Sequence, residues 1–349
     1  MLYFALFLLV VYFVSHFRYS GAPEHVTQKK ANIIMIVILL LMGLRHETVF
    51  GDAVVYVAQY QHRLSNLPFS YTQMTLAGEP LYTLLVLLGQ RITTNSVFFF
   101  IITSLPISYG YSRLIRKYPH DPFMSVLLFC ALGCMYFAMA GLRQAIAMGI
   151  TMFAYSYAKE RRIKPFLILC LIAWGFHNSA IVFLPVYFII NWKPSGKMWI
   201  AIAVAMLLGL SKNPIVLRIA NIFASKEYMM DEEGLNYSML LIQLAVLSFC
   251  YLFGNSRILK KLGDHNEYNS LLLMGFIGAI FQAFTPIKGE FFRVSLYYSS
   301  YLTFAVPMTI QREENPSNRA LLNLGISAVL LIYLFTLSGM RGYKLFFAT

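Results

Sequence analysis

Apolar stretches, each long enough for about three turns of helix, recur along the chain and constrain its fold most strongly. They lie roughly at residues 2–17, 31–46, 96–113, 122–140, 142–158, 165–176, 177–191, 198–211, 237–254, 269–285, 291–311 and 320–339. Of 349 residues, 58% are hydrophobic and 12% are charged, whereas soluble domains carry about 25% charged residues. We therefore predict an all-α fold, a polytopic transmembrane bundle of roughly 11–13 helices. It should form one integral membrane domain over residues 1–349.

Some boundaries of these predicted spans need comment. Several stretches are shorter than the ~20 residues that a crossing normally requires, and 165–191 is expected to pack as two short helices meeting at a break. The first stretch has no basic region before it and no small-residue cleavage site after it. It is therefore expected to be a retained span rather than a signal peptide.

The net charge of +13 comes from basic residues in short loops between the apolar stretches. These loops are residues 25–30, 113–117, 159–164, 192–197 and 257–261. Such a distribution is typical of cytoplasmic loops and gives the chain an orientation in the membrane. It does not resemble the single basic surface of a nucleic-acid-binding protein, so no nucleic acid is expected as a partner. The four cysteines lie within apolar stretches without metal-ligand spacing, so no metal is expected.

With that orientation, four polar clusters fall on the outer face. They are Arg45, Glu47 and Asp52; the turn Gly141–Gln144 with Arg143 and Gln144; His177, Asn178 and Ser179; and Lys288, Glu290 and Arg293. Residues 45–78 and 212–236 are predicted to be outward-facing loops. This convergence on one face predicts a shared polar cavity, because ionisable groups at membrane depth are costly and usually functional.

The segment 79–92 leaves the topology open. Counting it as a crossing puts its flanking loops on conflicting sides, so either it is re-entrant or part of 52–70 also crosses. Re-entrant backbone is tolerated where it is buried in protein or lines a water-filled cavity. We favour the re-entrant alternative, which leaves Glu79 near the outer cavity.

Each polar cluster also has a purely structural explanation. Arg143 could extend to the headgroups, although its small neighbours favour close helix contact over lipid exposure. His177 could be an interfacial histidine with satisfied hydrogen bonds. Glu290 and Arg293 have the spacing of a surface ion pair, and Asp52 could cap a helix.

Several arginines with few carboxylates suit an anionic ligand, and arginine favours the two-pronged geometry of phosphate. The sequence shows no glycine-rich phosphate loop, no Cys/His metal cluster and no hydrolase motif. A membrane-borne phosphate or diphosphate facing outward, such as a lipid-linked sugar diphosphate, is the ligand that fits these observations. No cofactor is expected.

Five segments of the sequence, in this order along the chain, carry a resemblance to a known family: GLRHETVFGDAVVY (43–56), GEPLY (78–82), AGLRQAIAMGI (140–150), GFHNSAIVFLP (175–185) and FFRVSLYY (291–298). Together they resemble the EpsG family of bacterial polysaccharide polymerases, the Wzy-like membrane proteins of O-antigen, capsule and exopolysaccharide clusters. The resemblance spans most of the chain.

The resemblance implies a glycosyltransferase at the outer, periplasmic face of a bacterial inner membrane. It would move a glycan from undecaprenyl diphosphate to the terminal sugar of another lipid-linked repeat unit, without metal or nucleotide. Arg143, Arg45 and Arg293, with Lys288 nearby, would bind the diphosphate. Histidine is the side chain suited to take a proton near neutral pH, so His177 is the expected base, with Asp52, Glu79 and Glu290 as alternatives. Sugar hydroxyls would be positioned by Gln144, Asn178, Ser179, Tyr82 and Tyr297.

Two other functions stay open at this stage. A flippase or transporter of the same lipid-linked oligosaccharide would place its site near the midplane between repeated halves, and no repeat is visible. An O-acyltransferase that modifies the glycan would need an acyl donor from the cytoplasm, where no polar cluster is seen. If the chain is a polymerase, its expected partners are membrane lipid, the lipid-linked oligosaccharide, and a chain-length regulator and flippase of the same pathway.

Overall fold

The protein, in a computed structural model, is built from α-helices. The structure describes residues 2–49, 51–63, 79–211, 214–215, 218, 237–254, 265–336 and 343–346. Within them the α-helices are α1 Leu2–His16, α2 Pro23–Gly43, α3 Gly51–Ala58, α4 Pro80–Ile92, α5 Ser96–Lys117, α6 Pro122–Ala131, α7 Cys134–Ala140, α8 Leu142–Lys159, α9 Ile163–Phe176, α10 Val186–Ile189, α11 Lys197–Leu210, α12 Tyr237–Gly254, α13 His265–Ala283, α14 Glu290–Ser299, α15 Ala305–Gln311 and α16 Pro316–Thr336. The prediction of an all-α helical bundle is confirmed.

Two of the predicted loops are only partly described. Residues 51–63 form α3 and a following π-helical turn, Gln59–Arg63. Residues 50 and 64–78 of the first loop, and residues 212–213, 216–217 and 219–236 of the second, lie outside the described residues.

Three of the described helices, α2, α5 and α16, are long and apolar enough to cross a membrane. The pair α6 and α7 would add a fourth if it forms one span, although the two helices are bent by 60°. The bend lies at Gly133. Its φ of +73° is in the left-handed region, which residues other than glycine rarely adopt. Other apolar helices are shorter, among them α4, α9 and α11.

The chain divides into two compact units. The first comprises Met1–Cys130, Cys134–Tyr187 and Ser327–Thr349; the second comprises Ala131–Gly133 and Phe188–Ile326. In the second unit, α13 packs against α11, α12 and α14. The expectation of one integral membrane domain stays a prediction.

The centre of the first unit is α8, which packs against α5 on one side and α9 on the other. Its crossing with α5 is a direct backbone contact. A Cβ atom on Gly110 would lie 2.5 Å from the carbonyl oxygen of Gly149, and one on Gly149 would lie 2.3 Å from the backbone of Pro106. Small residues allow helices to approach this closely in membranes. The crossing point at Gly149 lies about two helical turns from Arg143 along α8.

An apolar cluster supports the beginning of α8. Its buried members come from α3, the π-helical turn, α4, α5 and α8: Ala53, Val57, Tyr60, Tyr82, Val86, Phe99, Phe100, Leu142 and Ile146. Hydrogen bonds tie the π-helical turn to α4, with Gln90 Nε2 donating to the carbonyl of Tyr60 and the Tyr60 hydroxyl donating to the carbonyl of Thr93. Three separate stretches of sequence therefore meet at the beginning of α8.

Candidate functional site

Glu79 lies immediately before α4, as its N-cap residue. Pro80 occupies the first helical position, where its missing N–H costs no hydrogen bond. The side chain of Glu79 makes no capping bond to the helix backbone, and the residue is only 4% exposed. A carboxylate this deeply buried requires partners, and two polar side chains supply them.

The first partner is His177, at the end of α9. The helix ends at Phe176, and the backbone of His177 is extended, with φ −156° and ψ 124°. Nδ1 of His177 is hydrogen-bonded to Oε1 of Glu79. Gly175 permits this approach, because a Cβ there would lie 2.7 Å from the Leu81 side chain of α4.

The second partner is Arg143, the second residue of α8. Its Nη1 donates to Oε2 of Glu79 at 2.6 Å, and its Nε donates to the hydroxyl of Tyr56 at 3.3 Å. A cation in the first turn of a helix is disfavoured by the helix dipole, so Glu79 offsets an unfavourable placement. The Arg143 side chain keeps 28% of its surface exposed, compared with 6% for Glu79. The Arg143 side chain is therefore partly exposed, whereas the carboxylate that it pairs with is buried.

Two tyrosine rings complete the arrangement around Arg143. The guanidinium carbon lies 5.4 Å from the ring centroid of Tyr56 and 5.6 Å from that of Tyr82. The two rings pack edge to face, with centroids 6.2 Å apart. Cation–π contacts at these distances favour a fixed orientation of the guanidinium. We call Tyr56, Glu79, Tyr82, Arg143 and His177 the Glu79 cluster.

The electrostatics of the cluster keep Glu79 ionised. Burial by itself raises the pKa of this carboxyl group, but the hydrogen bond and charge of His177 and those of Arg143 outweigh burial and hold the pKa below its ordinary value. An ionised carboxylate can only accept hydrogen bonds. Nδ1 of His177 must then carry a proton, and in the neutral form of the ring Nε2 is the acceptor.

Other predicted residues of the first unit lie outside these contacts. Arg45 is 1% exposed, and its guanidinium donates to the carbonyls of Met42 and Met139. Asp52 is exposed on α3, one turn before Tyr56. The remaining three adjoin the cluster in sequence: Gln144 is buried beside Arg143, and Asn178 and Ser179 are half-buried in the 3₁₀ turn after His177.

The second unit contains the other four predicted residues. Lys288 and Glu290 are half-buried at the beginning of α14, Arg293 is half-buried one turn later, and Tyr297 is 1% exposed. Their proposed roles in binding substrate stay predictions.

Tyr56 is the member of the cluster that we did not select from the sequence. Its signal was its spacing of four residues from Asp52, which places both on one side of a helix. That stretch was predicted to be an outward-facing loop, with a crossing by part of 52–70 as the alternative, and no role was assigned to Tyr56.

In the part of the chain that the structure describes, no group of three or more His, Cys, Asp and Glu side chains is arranged to hold a metal ion.

Comparison with known proteins agrees with the resemblance found in the sequence. The model of the EpsG family matches residues 31–347, nearly the whole chain. No curated protein and no solved structure gives a significant match. With its apolar helices, the match indicates a multi-pass membrane protein and supports a general role in polysaccharide polymerisation. The chain belongs to the EpsG family.

Proposed function

We propose that the chain polymerises lipid-linked glycan repeat units. In this reaction a glycan leaves undecaprenyl diphosphate and joins the terminal sugar of another lipid-linked unit. The observation that carries the proposal is the sharing of Glu79 between His177 and Arg143. One buried carboxylate thereby orients a proton acceptor and a cation that can bind phosphate.

His177 is the proposed general base. Because Glu79 holds Nδ1 as a donor, Nε2 is available to accept the proton of the attacking sugar hydroxyl. A carboxylate in this position also stabilises the imidazolium ion that forms, as in other catalytic pairs of acid and histidine. Glu79 therefore acts as the partner of the base and is no longer an alternative to it.

Arg143 is the proposed binding group for the diphosphate. Two of its five N–H donors are accounted for by Glu79 and Tyr56, and the side chain is partly exposed, so we propose that other donors bind the ligand. The diphosphate gains negative charge as its bond to the sugar breaks. A fixed cation aimed at that charge stabilises the transition state without reorganising.

The bonds and protons of this step balance. The acceptor oxygen forms a bond to the anomeric carbon of the donor, and the bond from that carbon to the diphosphate oxygen breaks. The departing diphosphate keeps the electron pair, and the acceptor proton passes to His177. The phosphosugar bond supplies the free energy, so the step needs no nucleotide.

The location in the cell is also part of the proposal. Basic loops such as 159–164 favour the cytoplasmic side, which puts the Glu79 cluster on the periplasmic side of the bacterial inner membrane. Diphosphate release on that side suits a substrate delivered by a flippase, with a chain-length regulator as a further partner. The length of α4 fits a re-entrant segment, because 13 residues span only about 20 Å of a core about 30 Å thick.

The test is complementation of cells that lack this gene. Cells without the chain should accumulate single lipid-linked repeat units on the periplasmic side, and the wild-type gene should restore long polymer. His177→Ala and Arg143→Ala should reach the membrane at normal levels and leave single units. Arg162→Ala is the matched control, because Arg162 pairs with Glu160 at an exposed position.

Two results would contradict the proposal. Accumulation of the units on the cytoplasmic side would indicate a flippase. Normal polymer from both site variants would remove the Glu79 cluster from the chemistry.

A further inference from the structure

Arg45 is a buried arginine whose guanidinium contacts two backbone carbonyls and an aromatic ring. Nη1 donates to the carbonyl of Met42, and Nη2 donates to the carbonyl of Met139 at 3.0 Å. Its guanidinium carbon lies 3.8 Å from the centroid of the Phe100 ring. With 1% of the residue exposed, Arg45 has no surface for a diphosphate.

Both carbonyls belong to the last turns of helices. Met42 lies one residue before the end of α2, and Met139 lies one residue before the end of α7. The last carbonyls of a helix lack partners within the helix and carry its partial negative charge. One guanidinium therefore joins two helix ends and satisfies an orphan carbonyl of each.

The segment Tyr343–Phe346 lies beside Arg45 and fixes its backbone. Leu345 forms an antiparallel bridge with Arg45. Its flanking hydrogen bonds run from His46 N to the Lys344 carbonyl and from Phe346 N to the Leu44 carbonyl, both at 2.9 Å. The hydroxyl of Tyr343, which is 3% exposed, donates to the carbonyl of Leu41 near the end of α2.

The groups that Arg45 contacts are close to Arg143 both in the sequence and in the packing. Only Ala140, Gly141 and Leu142 separate Met139 from Arg143, and Gly141 is the N-cap of α8. Phe100 and Leu142 belong to the same apolar cluster. Arg45 is thus linked to the beginning of α8 by two routes, one through the backbone of α7 and one through Phe100.

We propose that Arg45 is a positioning residue, and that Tyr343–Phe346 is a strap that locks Arg45 in place and so sets the position of Arg143. The inference rests on the proposed function, since the position of Arg143 matters only if Arg143 acts on substrate. It replaces the sequence-based expectation that Arg45 binds the diphosphate.

The test uses the purified full chain and the lipid-linked repeat units extracted from cells that lack this gene. Arg45→Lys keeps the charge but cannot bond both helix ends while stacking on Phe100. Tyr343→Phe removes one hydroxyl and leaves the packing intact. Tyr111→Phe is the matched control, because it also removes a buried tyrosine bond to a carbonyl, that of Ser125.

We expect kcat per folded molecule to fall about 10- to 100-fold in Arg45→Lys, because misplacing a reacting group by about 1 Å can cost 10²-fold. Tyr343→Phe should show a smaller loss in the same direction. KM should change less than about threefold in both, as expected when only the transition state is affected. Tyr111→Phe should keep the wild-type kcat.

Three results would overturn the inference. They are wild-type kcat in both variants, a raised KM with unchanged kcat in Arg45→Lys, and a smaller yield of folded protein with normal kcat. Arg143→Ala, measured alongside, separates the two proposals. Normal polymerisation by Arg143→Ala refutes the proposed function, whereas an inactive Arg143→Ala beside fully active Arg45→Lys and Tyr343→Phe refutes only the strap.

Discussion

Arg143 and Glu79 form an ion pair of 2.6 Å that joins the first turn of α8 to the residue before α4. The two residues are 64 positions apart in the sequence, and both lie where a helix begins. A helix begins with unpaired N–H groups and partial positive charge, which suits Glu79 and disfavours Arg143. The pair therefore keeps the cation where the partial positive charge of the helix N-terminus opposes it. Such a placement favours the binding of a second anion.

Arg143→Lys tests whether the planar guanidinium is needed. Lysine keeps the charge but cannot bond Glu79 and Tyr56 while presenting two parallel donors to a diphosphate. Without the two-pronged contact the diphosphate is held less well in the transition state, so polymer formation should fall more than about tenfold. Polymer length on gels measures the result, with Arg162→Lys as the control. Wild-type chain lengths from Arg143→Lys would make Arg143 a membrane-anchoring residue.

A double-mutant comparison tests whether Glu79 acts through His177. If it does, the loss caused by Glu79→Gln should be smaller in the His177→Ala background than in the wild type, because residues that act as one unit are not additive. The loss that remains is the part that Glu79 exerts through Arg143. Glu160→Gln, at an exposed position, should combine additively with His177→Ala. Rates of polymer formation by purified protein measure both pairs. Additive losses from Glu79 and His177 would mean that the two act independently.

The lowered pKa of Glu79 predicts how stability depends on pH. The ordinary pKa of this carboxyl group is 4.5, and the folded value is lower. Its stabilising contribution is therefore complete above the ordinary value and is lost as the pH falls through the folded value. The gap in apparent Tm between wild type and Glu79→Gln should be present above the ordinary pKa and shrink as the pH falls below it. Thermal unfolding in detergent measures it, and a gap that ignores pH would contradict the ion pair.

Gly175→Ala tests the packing that brings His177 to Glu79. The added Cβ would meet Leu81 at 2.7 Å, so the end of α9 should move away from α4 and polymer formation should fall about tenfold. The second change Leu81→Ala should restore part of it. Gly196→Ala, where nothing lies within 4 Å, is the control. Failure of Leu81→Ala to restore any activity would contradict this account.

Cysteine labelling tests the orientation. Asn178→Cys and Lys288→Cys should react with a membrane-impermeant reagent from the periplasmic side, and Lys164→Cys should not. The four native cysteines are buried and should stay unlabelled. Gly141 is unsuitable, because a side chain there would meet the Phe137 ring at 2.5 Å. Labelling of Asn178→Cys and Lys164→Cys from the same side would contradict the topology.

The sequence predicted the helices well because long apolar runs leave the backbone few choices in a membrane. It also predicted the break at His177, where polar residues interrupt an apolar run. It missed the bend at Gly133, because a glycine in the left-handed conformation looks the same in sequence as one that permits close packing. The predicted span 291–311 likewise divides into α14, a 3₁₀ turn and α15.

The candidate site was only partly predictable. Charge patterning put Arg45, Arg143 and His177 on one face but could not say which of them meet. That Glu79 joins Arg143 and His177, while Arg45 is buried against two helix ends, follows from how α2, α4, α7, α8 and α9 pack. Tyr56 was missed because its helix lies in a stretch that we expected to be a loop.

The contact of Gly110 with Gly149 limits how this chain can change. Two backbones in contact leave no side chain between them that substitution could lengthen or shorten. The position of Arg143 relative to α5 is therefore fixed in this chain, since α8 cannot slide along α5 without breaking this contact. If glycans of different shape are accommodated, they must be accommodated by exchangeable side chains around this fixed point. The crossing of α5 and α8 thus fixes the position of Arg143, and other residues of the site are positioned relative to it.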